Sequence, residues 1–302
     1  MSRHLFKATA IAVALATSTY AAEVQLTTPD GLVSVPQNPE RVISFDVGTL
    51  DTLTALGVEV VGITDPLYVP ALESLDDGKK AKVGTLFDPD FEQVYALKPD
   101  LILAGPRTIK QIDALSKIAP TINMSPYSDD LEAVVKTQTT ELGALFGKED
   151  KAAELVGNLH SSLENLRALT KDAGKGLIVM TNGPKISVFG PDSRFGWVHA
   201  TLGIEPLFEE VEAQTHGEAI SFEFLHDANP DWMIIFDRTR ATNSDGPLAN
   251  ETLDNELVAQ ITAMKKGQVV YVNPADFYIA TTGVRSLQDT VDQFIEAYSI
   301  PR

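Results

Sequence analysis

The stretch FEQVYALKPDLILAGPR, Phe91 to Arg107, returns 131 residues later as FEFLHDANPDWMIIFDR, Phe222 to Arg238. Laid over each other without a gap, the two 17-residue stretches share Phe-Glu at the start, Pro-Asp in the middle and Arg at the end. Each predicts a short helix opened by Phe-Glu and broken at Pro-Asp. The apolar run that follows does not alternate, which fits a strand buried on both faces of a parallel sheet. The arginine falls just past the strand, and ligands of open α/β sheets bind outside the carboxyl ends of strands. Two copies imply two similar lobes, each offering a cation to whatever lies between them. The plainer alternative is a pair of unrelated arginines, solvated or salt-bridged to Glu92, Glu223 or Asp237.

Between the copies the sequence changes character. From Leu131 to about Lys171 there is no proline, and Ala152, Leu155, Leu159, Leu163, Leu166 and Leu169 recur at helical spacing. The pattern predicts one helix over Lys148 to Lys171, about 36 Å long at 1.5 Å per residue. Such a helix can cross from lobe to lobe and restricts hinge bending. On the near side, Val24 to Val35 reads as a hairpin around Pro29-Asp-Gly31, followed by a strand at Arg41–Phe45 and a helix over Val47–Leu56 that stops at Gly57. A strand over Val58–Ile63, a helix over Lys110–Ile118 and a strand at Thr121 to Met124 complete that lobe. On the far side come strands at Gly176–Met180, Ile186–Phe189 and Gln268–Val272, a mobile loop after Arg238 that leads to a helix, and a closing helix over Arg285–Tyr298. The expected fold is α/β, with two lobes built on central mainly parallel sheets and joined by a single long α-helix. Its divisions are an N-terminal lobe over 23–128, a helical connection over 129–172 and a C-terminal lobe over 173–302.

Residues 1–22 stand outside that scheme. Arg3, His4 and Lys7 precede an apolar run from Ala8 to Ala16 and a small-residue exit at Thr19-Tyr-Ala-Ala22, the layout of a cleaved secretory signal peptide. The chain has no cysteine, so it has neither disulfides nor thiolate metal sites, and no cysteine is available for lipid attachment. A freely diffusing periplasmic monomer is expected. The formal charge is −18, and loss of the signal peptide removes only cations. Nucleic acid and anionic membrane are thereby disfavoured as partners, and an anionic ligand would have to be held by a local cluster against the global field.

Several segments together resemble the periplasmic siderophore-binding proteins of ABC importers, in the class with two α/β lobes on one long helix. The likeness rests on VPQNPERVISFD, LDTLTALGVEVVGI, LKPDLILAG and NPDWMIIFDR, and spans essentially the whole chain after the signal. Within that family it is similar to the members that take ferric catecholates. The resemblance implies a ligand site of Arg107 in AGPR, Arg194 in GPDSRFG, Arg238 in FDR, His216 in THG and Tyr278 in DFYIA. It implies His216 and Tyr278 as iron ligands, and Glu92 and Glu223 as paired carboxylates that dock an inner-membrane permease. No permanent cofactor is implied; Fe(III) arrives as the siderophore complex.

The chemistry of these residue types agrees. A ferric tris-catecholate carries about three negative charges, and guanidinium is a permanent cation with a planar donor fork suited to paired oxygens. Fe(III) is a hard ion, and a tyrosinate with an imidazole can fill the two positions that a bis-catecholate leaves vacant. Each residue also has a bland reading. His216 beside Gly217 suits a turn; Tyr278, Phe277, Trp197 and Tyr68 suit aromatic walls; His160, His199 and His226 lie on helices. Glu92 and Glu223 suit helix N-terminal charges. Haem or another iron chelate is the alternative cargo, since Tyr or His can ligate haem iron and arginines can take propionates. An α/β enzyme is the third class, but no G-x-S-x-G, P-loop, G-x-G-x-x-G or H-E-x-x-H occurs.

Overall fold

The computed structural model describes residues 22–211 and 217–301; the expected signal peptide, apart from Ala22, and His216 lie outside the described residues. The chain opens with the antiparallel hairpin β1 (Glu23–Thr28) and β2 (Gly31–Pro36), as its Pro-Asp-Gly turn predicts. The first sheet is built from β3 (Val42–Ser44), β4 (Gly62–Ile63), β5 (Ala81–Lys82), β6 (Leu101–Ala104) and β7 (Thr121–Asn123), all parallel, in the order β5-β4-β3-β6-β7. Helices α1 (Val47–Ala55), α2 (Phe91–Leu97) and α3 (Ile112–Leu115) connect these strands. The strand expected over Val58–Ile63 shrinks to β4, because Val58 donates back to Leu53 O and prolongs the helix end past Gly57. The helix expected over Lys110–Ile118 is a 3₁₀ turn at Ile109–Gln111 running into the single turn α3.

Helix α4 (Leu131–Leu145) leads into α5 (Glu149–Thr170), whose 22 residues come within a residue of each predicted end and span about 33 Å. The second sheet contains β8 (Lys175–Asn182), β9 (Lys185–Phe189), β10 (Glu205–Pro206), β11 (Glu218–Ile220), β12 (Trp232–Asp237) and β13 (Val269–Tyr271). It runs β11-β9-β8-β12-β13, with β10 beside β8. Its β8, β10, β12 and β13 are parallel, the tight turn at Gly183 (φ 58°) makes β9 antiparallel to β8, and β11 pairs antiparallel with β9. Helices α6 (Trp197–Ala200), α7 (Phe222–Ala228), α8 (Arg238–Ala241), α9 (Ala249–Thr252), α10 (Thr262–Lys266), α11 (Pro274–Tyr278) and α12 (Val284–Ser299) complete this lobe. The helix expected beyond the loop after Arg238 is the single turn α9, and the loop itself begins with a further turn, α8. Asp237 caps α8 at Arg240 N and also accepts from Ala249 N, which folds the connection into two helical turns.

The duplicated stretch is one device used twice. Asp90 and Ser221 cap α2 and α7 by accepting from Gln93 N and Phe224 N. Lys98 and Asn229 end the helices in the left-handed conformation at φ 47° and 43°, ahead of Pro99 and Pro230. Asp100 then accepts from Glu40 N and Arg41 N, and Asp231 accepts from Lys175 N, so each Pro-Asp pins its strand to the start of the central neighbour. The strands that follow, LILA and WMIIFD, are buried throughout.

Packed helices join the lobes. Helix α5 packs against both α4 and α12, and α12 packs against α1. On α1, Asp51 is fully buried and accepts from Arg285 N and Ser286 N at the start of α12, and from Arg285 Nε at 2.9 Å. One turn earlier Gly48 lies so close to Thr282 and Gly283 that a side chain there would collide with both. Beside Asp51, Thr52 Oγ1 accepts from Val284 N, and a carboxylate and hydroxyl of α1 at this helix N-terminus together lock the closing helix onto the first lobe.

Candidate functional site

The carboxyl ends of both sheets face a cavity of about 1350 Å³ between the lobes. Arg107, in the loop after β6, enters it from the first lobe. Arg194, on the turn after β9, and Arg238, at the start of α8, enter from the second. Both copies of the repeat therefore deliver their terminal arginine to one space. Lys110 adds a fourth cation on the rim, and Trp197, Phe195, Tyr127 and Phe87 contribute aromatic wall.

Tyr278 is the point on which the three arginines converge. It closes α11, and its ring is buried to 7 % exposure. Arg238 Nε donates to its hydroxyl at 3.3 Å, while Arg238 Nη1 donates to Asn182 Oδ1 at 3.3 Å. The guanidinium of Arg194 lies 4.6 Å from the Tyr278 ring centre and 4.9 Å from that of Phe195. Arg107 stands 5.7 Å from the same ring and reaches across the cleft to donate to Tyr278 O at 2.8 Å and Ile279 O at 3.2 Å. Arg194 Nη2 shares the Tyr278 carbonyl at 3.5 Å. Among the described residues, no carboxylate pairs with any of the three. The salt-bridged alternative with Glu92, Glu223 or Asp237 is not the arrangement found.

This charge without counter-charge acts on the residues themselves. Burial alone would raise the Tyr278 phenol, but the Arg238 hydrogen bond and the fields of Arg194, Arg238 and Arg107 outweigh it and hold the pKa below its ordinary value. Surrounding protein, with repulsion from Arg107 and Arg238, lowers the pKa of Arg194, although its guanidinium still opens onto the solvent of the cleft. Asp46, the cap of α1, is the buried acid on the cavity floor. Burial raises its pKa against the opposing bonds from Thr49 and the field of Arg107. The cavity thus has a positive wall with unspent donors and a phenol disposed toward ionisation, a combination suited to an anion built of hard oxygens.

The remaining candidates divide. Trp197 lines the cavity, but Phe277 does not: it is fully buried and stacks on Phe195 at 5.1 Å, because α11 turns its penultimate side chain into the core. Tyr68 belongs to a separate cavity with Asp65 and Tyr271. His160 bonds Glu132, His199 bonds Ile204 O and His226 bonds Asp227, so none of these faces the arginines. Glu92 and Glu223 are exposed in the first turns of α2 and α7, at matching places on the two lobes. Sequence reading missed Asn182, which orients Arg238, and the crossing of Arg107 to the second lobe. Asn182 carried a signal, since it ends a strand beside a Gly-Pro turn; the crossing carried none.

The model of a family described as periplasmic binding protein matches residues 42–275. The petrobactin-binding protein YclQ of Bacillus subtilis is 34% identical over 262 residues, covering 86% of this chain and 82% of that protein. The ferric-anguibactin-binding protein FatB of Vibrio anguillarum is 32% identical over 275 residues, covering 89% and 85%. Among solved structures, the periplasmic catecholate-siderophore binding protein VctP of Vibrio cholerae superposes with a TM-score of 0.84 at 30% identity, over 90% of this chain and 99% of that one.

Proposed function

We propose, from the premise that this chain belongs to the periplasmic binding protein family, that it captures ferric catecholate siderophores in the interlobe cleft and delivers them to an inner-membrane ABC permease. It is a binding protein and not an enzyme. The observation that carries the reading is the convergence of Arg107, Arg194 and Arg238 on Tyr278 with no carboxylate partner, in a protein whose net charge is strongly negative. Three such guanidiniums are unfavourable in an empty cleft and favourable around a trianion. The relatives named for petrobactin, ferric anguibactin and catecholate siderophores support the same cargo class.

In this reading the guanidiniums hold the catecholate oxygens and Trp197 borders the rings. Tyr278 and His216 complete the iron coordination when the chelator leaves positions open. Iron is cargo held inside its chelator, so no resident cofactor is needed. Glu92 and Glu223 present one carboxylate per lobe to paired cations of the permease. The protein works as a monomer in the periplasm; among the described residues no helix is long and apolar enough to cross a membrane.

The test is a titration of the purified protein, lacking residues 1–22, with ferric catecholate and with haem, followed by tryptophan quenching and the visible spectrum. Saturable quenching by ferric catecholate supports the reading. Tight haem binding with no response to ferric catecholate overturns it.

A further inference from the structure

Among the described residues, the N-terminal lobe carries two large apolar side chains that stand exposed in the cleft. Phe87 is 61 % exposed and Ile109 is 49 % exposed, and both line the same cavity as the three arginines. Phe87 stands on the turn before α2, and Ile109 follows Arg107 by two residues on a 3₁₀ turn.

Neither stands on slack chain. The Phe87 turn is closed by Thr85 N donating to Asp88 O at 3.0 Å, while Thr85 Oγ1 accepts from Phe87 N and Asp88 N at 3.2 and 3.0 Å. Gly84, at φ 95°, lets the turn pack where a side chain would meet Asp88 O and Asp90 N at 2.5 Å. Thr108, fully buried between Arg107 and Ile109, has its hydroxyl 2.6 Å from Leu86 O. That bond ties the loop holding Arg107 and Ile109 to the one holding Phe87. The turns that carry Phe87, Arg107 and Ile109 are therefore held together, and all three side chains line the cavity that Arg194 and Arg238 enter from the other lobe.

An exposed phenylalanine on a pinned turn is unfavourable in water, and it becomes favourable when a flat apolar surface covers it. In a cleft whose opposite wall takes oxyanions, the fitting ligand has anionic oxygens along one edge and a flat carbon face. We propose that Phe87 and Ile109 form the specificity wall of the site, taking the ring face of an aromatic chelator while Arg107, Arg194 and Arg238 take its oxygens. This rests on the catecholate reading and deepens it.

The experiment uses the ferric complex of a tris-catecholamide as probe, titrated by tryptophan quenching into the wild type, the double variant Phe87→Ser/Ile109→Ser, and Phe87→Trp. Loss of the ring contact should weaken the double variant about tenfold, while urea denaturation of the empty protein stays unchanged. Phe87→Trp should keep wild-type affinity within about twofold, and its new indole should be quenched as the complex forms. Wild-type affinity in the double variant, or an unquenched indole at position 87, overturns the inference. So does unchanged chelate affinity with lost uptake in cells, which would assign these side chains to the transporter. A wild type that fails to respond to the ferric complex refutes the catecholate reading itself, and so is a different result from an unchanged variant.

Discussion

Arg194→Gln should separate stability from binding. The guanidiniums of Arg194 and Arg107 both donate to Tyr278 O, at 3.5 and 2.8 Å, so their donor nitrogens are no more than about 6 Å apart. Two like charges at that distance repel by roughly 1 to 3 kcal/mol for effective dielectrics between those of water and of a protein surface. Removing Arg194 relieves that repulsion. It also forfeits its stacking on Tyr278 and Phe195, about 0.5 to 1 kcal/mol each at a solvated site, and a long hydrogen bond. These nearly cancel, so the empty protein should change by no more than about 1 kcal/mol, whereas removing one partner of a true buried ion pair costs about 3 to 5 kcal/mol. Binding should suffer far more. One charge-assisted hydrogen bond contributes about 1.5 to 3 kcal/mol, which corresponds to a loss of roughly 10- to 150-fold in affinity. Urea denaturation of the empty variant and a fluorescence titration with ferric catecholate measure the two sides. Destabilisation of the empty protein by 3 kcal/mol or more, with affinity intact, would refute the idea that this arginine waits for an anion.

Tyr278→Phe should remove the lowest-pH phenolate absorbance step from the ultraviolet titration. Because the folded pKa lies below the unfolded one, the phenolate stabilises the fold only at alkaline pH, so the wild type should gain on the variant there and lose the gain as pH falls through the folded pKa. His216→Ala should shift the charge-transfer band of a ferric bis-catecholate complex and leave that of a tris-catecholate unchanged; an unchanged bis-catecholate band removes the residue from the coordination sphere. Asp276 has its pKa raised to about 6 by burial, with Asp289 and Asp51 nearby, against the neighbouring Ser286 hydroxyl and the field of Arg285. Its ionisation therefore opposes folding, and Asp276→Asn should match the wild type below about pH 4 and become more stable by up to about 3 kcal/mol above pH 6 in urea melts. Reversing both Glu92 and Glu223 to arginine should abolish siderophore uptake in cells while leaving the solution affinity unchanged.

How much of this was legible beforehand depended on how local each feature is. The repeated helix, proline break and buried strand could be read because cap, left-handed terminus and Pro-Asp pin all lie within 17 residues. The long helix could be read for the same reason, since its leucines mark one face without reference to anything distant. Short motifs single out Arg107, Arg194, Arg238 and Tyr278, and the structure brings them together around one ring. Short elements were read less well. A one-turn helix such as α11 has no periodicity from which to tell which of Phe277 and Tyr278 faces the cleft; burial of Phe277 among Phe195, Trp197 and Phe236 decides it. The reach of Arg107 to the second lobe, the grip of Asp51 on α12 and the exposure of Phe87 and Ile109 depend on how the lobes dock, which no local pattern encodes.

The most direct test of an anion-binding cleft is a crystal structure of the protein grown with a ferric tris-catecholate. The complex should sit in the interlobe cavity, with guanidinium nitrogens of Arg107, Arg194 and Arg238 on catecholate oxygens and Tyr278 beneath it. A complex seated elsewhere, for example in the separate cavity lined by Tyr68 and Tyr271, with the three arginines unchanged, would contradict it.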